Sequence, residues 1–202
     1  MTNALIIFLK NPVKGKVKTR LAAAIGEQAA LDIYLQLVKH TLSVASEADA
    51  DCFVFFSDTE DEAMLPDTVK FKAAVQHGEN LGERMLNASA TIFNKGYKKV
   101  IIIGTDCPDI NSDLLEEAFL RLDETDVIFG PAMDGGYYLL GLKKLITDLF
   151  FHVSWSTNMV LKQSMSICKS LYKRYGLLKE LSDIDKEEDL IHFYKLLKTK
   201  VA

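Results

Sequence analysis

Apolar residues fall along this chain in two rhythms. Six short runs are almost continuously apolar: Leu5–Leu9, Cys52–Ser57, Phe71–Val75, Val100–Gly104, Val127–Gly130 and Tyr138–Leu142. Runs of this kind, without polar alternation, predict strands covered on both faces. Elsewhere apolar positions recur at helical spacing and predict helices over Thr19–Glu47, Leu81–Lys95, Asp113–Leu122, Asn158–Tyr175 and Glu187–Lys198. In the second of these, Met85, Leu86, Ala88, Ser89, Ile92 and Phe93 form one stripe. Ser112 stands as an N-cap before the third, with Asp113 in the first turn, where a carboxylate favours the helix dipole. Strands alternating with helices predict an α/β fold with a mainly parallel sheet and right-handed crossovers. In such sheets ligands bind outside the carboxyl ends of the strands, so chemistry is expected in the bends just after them. No repeat, low-complexity tract or linker breaks the 202 residues, and that length predicts one domain over residues 1–202.

Composition narrows the setting. No apolar stretch approaches the roughly 20 residues of a bilayer span, and Met1 to Leu9 lacks the basic region and cleavage site of a signal peptide. Cys52, Cys107 and Cys168 are odd in number and widely spaced, which fits neither a disulfide framework nor a zinc site and predicts a reducing cytoplasm. A net charge of −4 argues against nucleic acid as a partner, where a basic face is expected. Nothing in the sequence specifies an oligomeric state.

Against that acidic balance, the side chains of the first 26 residues carry only positive charge: Lys10, Lys14, Lys16, Lys18 and Arg20, with Gly15 among them. A strand end, a cationic loop and a helix start together suit a multiply charged anion such as a nucleotide phosphate; the plainer reading is a solvated turn. Neither a P-loop nor a dinucleotide fingerprint is present. Asp106 closes the apolar run that begins at Val100, and Pro108 stiffens the turn behind it. A carboxylate there suits Mg²⁺ or Mn²⁺, or merely a turn. Asp183 and Asp185 precede the last helix, where capping alone accounts for acids, although Asp106 and Asp185 together would serve a divalent cation. Asp134-Gly135-Gly136, followed by Tyr137, reads as a hairpin turn or as a rigid turn offering a carboxylate to substrate hydroxyls. Gln76 follows a strand and suits a base edge, whereas Trp155 reads as core and the four histidines show no ligand spacing.

Four segments occur in order: Phe8-Leu9-Lys10-Asn11-Pro12-Val13-Lys14-Gly15-Lys16-Val17-Lys18-Thr19-Arg20-Leu21; Gln76 to Gly78 with Leu81-Gly82-Glu83-Arg84-Met85; Gly104-Thr105-Asp106-Cys107-Pro108; and Gly130-Pro131-Ala132-Met133-Asp134-Gly135-Gly136-Tyr137. Together they resemble the bacterial GT-A type glycosyltransferase family of arsenosugar-biosynthesis type, which is related to phospholactate guanylyltransferase and to molybdenum-cofactor nucleotidyltransferases. The resemblance implies a nucleotide-diphospho-sugar transferase fold, Rossmann-like, in three α/β/α layers around a mainly parallel mixed sheet. It implies that Lys10, Lys14, Lys18 and Arg20 hold nucleotide phosphates and that Gln76 and Gly82 lie near the base. It implies that Asp106 and Asp185 hold Mg²⁺ or Mn²⁺. The glycine-rich signature of sugar nucleotidyltransferases is absent, and the Asp-x-Asp of GT-A enzymes is reduced to Asp106, with Asp109 three residues on.

The expectation is therefore an enzyme: a metal-dependent transferase acting on a nucleotide-sugar, with Asp134 orienting or deprotonating an acceptor hydroxyl and Gly135, Gly136 and Tyr137 lining the acceptor site. Transfer of a nucleotidyl group from an NTP with release of pyrophosphate uses the same groups. A non-catalytic nucleotide-binding protein is the third reading. An aspartyl phosphatase is set aside, because Lys10 stands where its nucleophile belongs.

Overall fold

The computed structural model describes residues 2–67 and 70–199. Seven strands, β1 (Asn3–Leu9), β2 (Asp51–Phe56), β3 (Phe71–Val75), β4 (Lys99–Ile103), β5 (Val127–Pro131), β6 (Tyr137–Leu142) and β7 (Tyr175–Leu177), form one sheet in the order β3-β2-β1-β4-β6-β5-β7. The pairs β1–β2, β1–β4, β2–β3 and β5–β7 are parallel, and β6 runs antiparallel to both β4 and β5. The sheet is thus mixed and mainly parallel. Every apolar run expected to be a strand is one.

Strand alternation sends side chains to two layers. On one face Leu5, Ile7 and Leu9 of β1 pack with Val54 and Phe56 of β2 against α2 (Glu27–Glu47) and α4 (Ser112–Arg121), through Tyr34, Val38, Leu42, Leu115, Ala118 and Phe119. On the other face Ala4, Ile6, Phe53 and Phe55 meet α3 (Leu81–Asn94), α5 (Asp148–Phe151) and α6 (Val160–Ser170) through Met85, Ile92, Leu149, Phe150 and Cys168. A smaller cluster joins Leu21 of α1 (Thr19–Ile25) and Ile33 and Leu37 of α2 to Ile184, and to Leu190 and Phe193 of α7 (Leu190–Thr199). That cluster folds the carboxy-terminal segment back over the amino-terminal bend. Among the described residues no helix is long and apolar enough to cross a membrane.

Four local expectations are corrected. The first long helix is two, because Gly26 sits at φ 88 and its left-handed backbone turns the chain between α1 and α2. Asn111 rather than Ser112 caps α4, its side chain accepting from the Leu114 N–H. The helix expected over Asn158–Tyr175 is shorter, since Tyr172 takes φ 53 and the chain then enters β7, a three-residue strand too short for a pattern of its own. The last helix begins as a 3₁₀ turn at Glu187–Asp189 before α7. The single turn α5 was not expected at all.

Candidate functional site

The bends after β1, β4 and β5 and the segment before α7 meet at the carboxyl end of the sheet. Tyr34 of α2 pins the start of the first bend: its hydroxyl donates to the Lys10 carbonyl at 2.6 Å and accepts from the Lys10 N–H at 2.9 Å. Burial pushes this phenol well above its ordinary pKa, with the hydroxyl lying beside Thr105 and Asp106. From there the bend runs through Gly15, at φ 77, to Lys18, which adopts φ 48 and ψ 44 ahead of α1. A left-handed backbone is uncommon for a residue with a β-carbon, and such strain persists only where surrounding contacts hold it.

Those contacts are visible. The Lys18 side chain is only 5% exposed, and its ammonium donates to Asp106 Oδ1 and to the Ile184 carbonyl, each at 2.5 Å. The Ile184 N–H in turn donates to the Asp106 carbonyl at 2.9 Å. Arg20 Nη1 lies 2.7 Å from Asp185 Oδ2 in a more open pair. The cationic bend and two later acidic bends therefore share one cleft, joined across most of the sequence. Lys10, Lys14 and Lys16 are exposed and, among the described residues, make no ion pair. Lys14 also lines an open hollow with Gly26, Glu27 and Asp32 at the α1–α2 corner.

Asp183, which the sequence reading left as a capping residue, is the most perturbed acid. Burial raises its pKa from 3.8 to about 7, and the carboxylates of Asp106, Asp134 and Asp185 push the same way while Lys18 opposes them. Asp134 is exposed and uses Oδ1 to accept the Gly136 N–H at 2.8 Å, a local turn that leaves Oδ2 free. Asp106 and Asp183 thus both feel the buried Lys18 ammonium, and Asp134 and Asp185 lie near enough to Asp183 to act on it. Among the described residues, however, no group of three or more His, Cys, Asp or Glu side chains is close enough to hold a metal ion by itself.

Other expected site residues are occupied by the protein itself. A β-carbon on Gly82 would fall 2.2 Å from Trp155 Nε1, so that glycine exists for the packing of α3 against the indole. Gly135, at φ +89, faces the Asn158 backbone, which a β-carbon would meet at 2.3 Å. Tyr137 points inward, its ring against Phe129 and Trp155 and its buried hydroxyl beside Ser164. Gln76 donates through Nε2 to the Phe55 carbonyl at 2.8 Å. Two histidines that sequence spacing could not place touch the loop after β4: His40 Nε2 lies 2.9 Å from the Ile110 carbonyl and His192 Nε2 lies 2.6 Å from Asp109 Oδ2.

Residues 40–157 match the family model described as an uncharacterized protein conserved in bacteria (DUF2064), which spans more than half of the chain. The chain belongs to this family. The crystal structure of a candidate nucleotide-diphospho-sugar transferase from Desulfovibrio desulfuricans G20 aligns with the DUF2064 chain at a TM-score of 0.90 and 30% identity, covering 96% of this chain and 87% of that one. A CMP:2-keto-3-deoxy-manno-octonic acid synthetase complexed with CTP aligns at a TM-score of 0.64 and 10% identity, over 99% of this chain and 100% of that one. Rv0371c from Mycobacterium tuberculosis, in complex with manganese, aligns at 0.59 and 13% identity, over 98% and 99%. The last two share the fold alone. The DUF2064 chain has the nucleotide-diphospho-sugar transferase fold. No curated protein matches its sequence.

Proposed function

We propose that this protein is a metal-dependent transferase using a nucleotide-activated donor, and that it transfers a glycosyl group from a nucleotide-sugar. The arsenosugar-type relationship suggested by the motifs belongs to the same reading. The observation that carries it is the Lys18–Asp106 contact with its companion Arg20–Asp185, which gathers cations from the first bend and carboxylates from two later ones in one cleft.

The charges on the rim are divided. Lys10, Lys14 and Lys16 follow β1, Asp106 follows β4, and Asp134 follows β5. With β4 and β6 between them, β1 and β5 stand roughly 14 Å apart at about 4.8 Å per strand. That division suits a diphosphate on the β1 side and an acceptor on the β5 side. Lys10, Lys14 and Arg20 bind the phosphates; Lys18, whose ammonium is spent on protein oxygens, positions Asp106 instead of touching the donor. Gln76 offers its amide oxygen to the base, while Gly82 and Gly135 shape the walls without contacting substrate.

Asp106 and Asp185 fit Mg²⁺ or Mn²⁺ by donor chemistry: both are hard oxygen ligands, 51% and 44% exposed, on separate elements, and a divalent ion commonly takes one or two carboxylates with phosphate and water completing the shell. The manganese bound to Rv0371c supports choosing Mn²⁺ first. Bound there, the ion would neutralise charge growing on the leaving diphosphate. The free Oδ2 of Asp134 accepts the proton of an acceptor hydroxyl or orients it. Asp134 makes no ion pair among the described residues, so an acceptor phosphate would meet like charge on this side, and a hydroxyl would not.

The shared fold with a CTP-bound synthetase favours a second reading, nucleotidyl transfer with release of pyrophosphate. One assay separates the two: Mn²⁺ with nucleotide-sugars and a hydroxyl acceptor panel, against Mn²⁺ with NTPs and sugar phosphates. Release of a nucleoside diphosphate supports glycosyl transfer; pyrophosphate release refutes it. A cytoplasmic setting is part of the proposal, supported by three buried unpaired thiols.

A further inference from the structure

Asp185 reaches the cleft on a strap whose main chain is tied at Ile184, the residue before it, to the Asp106 carbonyl, so what remains to be set is how α7 sits behind it. The Asp185 and Lys186 N–H groups both donate to Asp189 Oδ2, at 2.9 and 2.7 Å, so Asp185 is fixed to the beginning of α7 and moves with it. Leu190 and Phe193 of α7 dock on Leu21, Ile33 and Leu37, an apolar contact that favours burial without specifying a register. Ile191 and Tyr194 on the same helix remain exposed. Among the described residues, one directional contact ties α7 to the loop carrying Asp106: His192 Nε2 on Asp109 Oδ2 at 2.6 Å, between residues 83 apart in sequence. Asp109 lies three residues beyond Asp106, with Pro108 between them, and His40 of α2 holds the next residue, Ile110, by its carbonyl. The loop is thereby anchored to α2 on one side and to α7 on the other.

We propose that His192 and Asp109 are positioning residues: their contact sets the register of α7 on the Asp106 loop and so holds the Asp185 carboxylate in place against that of Asp106. The proposal rests on the reading of Asp106 and Asp185 as the divalent-cation site. His192 touches no substrate; it acts through the strap. Because the side chains of the pair are 47% and 23% exposed, the contact adds little to global stability, which separates a positioning role from a structural one.

The test uses the full chain with Mn²⁺ alone, read by electron paramagnetic resonance, together with hydrogen exchange of the segment 181–189. His192→Ala is expected to weaken Mn²⁺ about tenfold, the size seen when groups that orient metal ligands are removed. It should also speed exchange in the strap while leaving the melting temperature close to that of the unaltered protein. His192→Gln, which keeps an N–H at the position of Nε2, is expected to restore both readouts, and Asp109→Ala to reproduce the loss. Unchanged exchange in His192→Ala overturns the proposal, as does unchanged Mn²⁺ affinity beside normal binding by the unaltered protein. If the unaltered protein takes up no Mn²⁺, the metal-dependent reading fails, and exchange in the strap still decides the role of His192.

Discussion

At the amino-terminal end of the strands, a hollow of about 230 Å³ is lined by Asp51, Phe53, Lys72, Lys95, Gly96 and Tyr97. It too is charged, and it resembles the carboxyl rim in composition, with lysines, an aspartate and aromatic groups. The organisation differs. Lys72 and Lys95 each lie over the Phe53 ring, at 5.0 and 5.9 Å, with both side chains in solvent, and Asp51 is satisfied by the Tyr97 hydroxyl at 2.6 Å. At the carboxyl rim a lysine is buried on a left-handed backbone, bonded to Asp106 and to Ile184, which lies 166 positions away, and an acid two residues from Asp185 is held near pKa 7. A concave surface with charges on it is inexpensive to make; opposed charges held against desolvation and strain require many supporting contacts, and such arrangements cluster at functional sites.

The contrast can be broken by substitutions at both ends. Asp106→Ala should reduce transfer by roughly 10²–10³-fold and abolish Mn²⁺ dependence, measured as kcat/KM, while Asp51→Asn at the opposite end leaves the rate within about twofold. Equal losses from the two would erase the distinction. Gly82→Ala drives a methyl group into Trp155 and should cost about 3 kcal/mol in urea unfolding, because both ring and helix must shift. Nucleotide affinity that falls with stability unchanged would instead return Gly82 to the base site.

Asp183→Asn tests the perturbed acid through pH. The folded pKa, about 7, lies above the unfolded value of 3.8, so the folded state holds the extra proton between them and stability falls as pH rises across that window. Removing the ionisable group should therefore raise stability at pH 8 by about 2 kcal/mol, after allowance for partial exposure, and change it little below pH 4. A gain of equal size at both pH values would show that ionisation is not the cause. Lys18→Met should cost about 1 kcal/mol, less than a fully buried pair, since Asp106 is half exposed and regains water. Lys72→Met should change stability by under about 0.5 kcal/mol.

Much of this arrangement could be read before the fold was known. The continuous apolar runs identified six of the seven strands, since a strand covered on both faces has no polar alternation to hide it. Placement of function after strands pointed to Lys18, Arg20, Asp106 and Asp134 without contacts to guide it, while Asp185, ahead of the last helix, entered as a partner for Asp106. Asp183 and Asp185 were both visible, but their linear surroundings favour capping for each. Only burial, reinforced by the approach of Asp106 and Asp134 from elements far off in sequence, separates a perturbed acid from an ordinary one. Tyr34 looked like any apolar position on a helix, and nothing local announces that its hydroxyl closes both backbone groups of Lys10. Gly135 and Tyr137 hid their packing for a different reason. A glycine free to admit a ligand and one filled by Asn158 have the same letter, and an aromatic ring beside a turn does not declare which way it faces.

What the chain determined by itself was the succession of strands and helices and the bends that carry charge, because periodicity and turn chemistry act between near neighbours. What only the tertiary structure decided was which charges meet: that Lys18 is spent on Asp106 and Ile184, that Arg20 takes Asp185, and that His192 reaches Asp109. Coulombic and desolvation effects depend on distance in space and on burial, and neither is written in the spacing of residues along a chain.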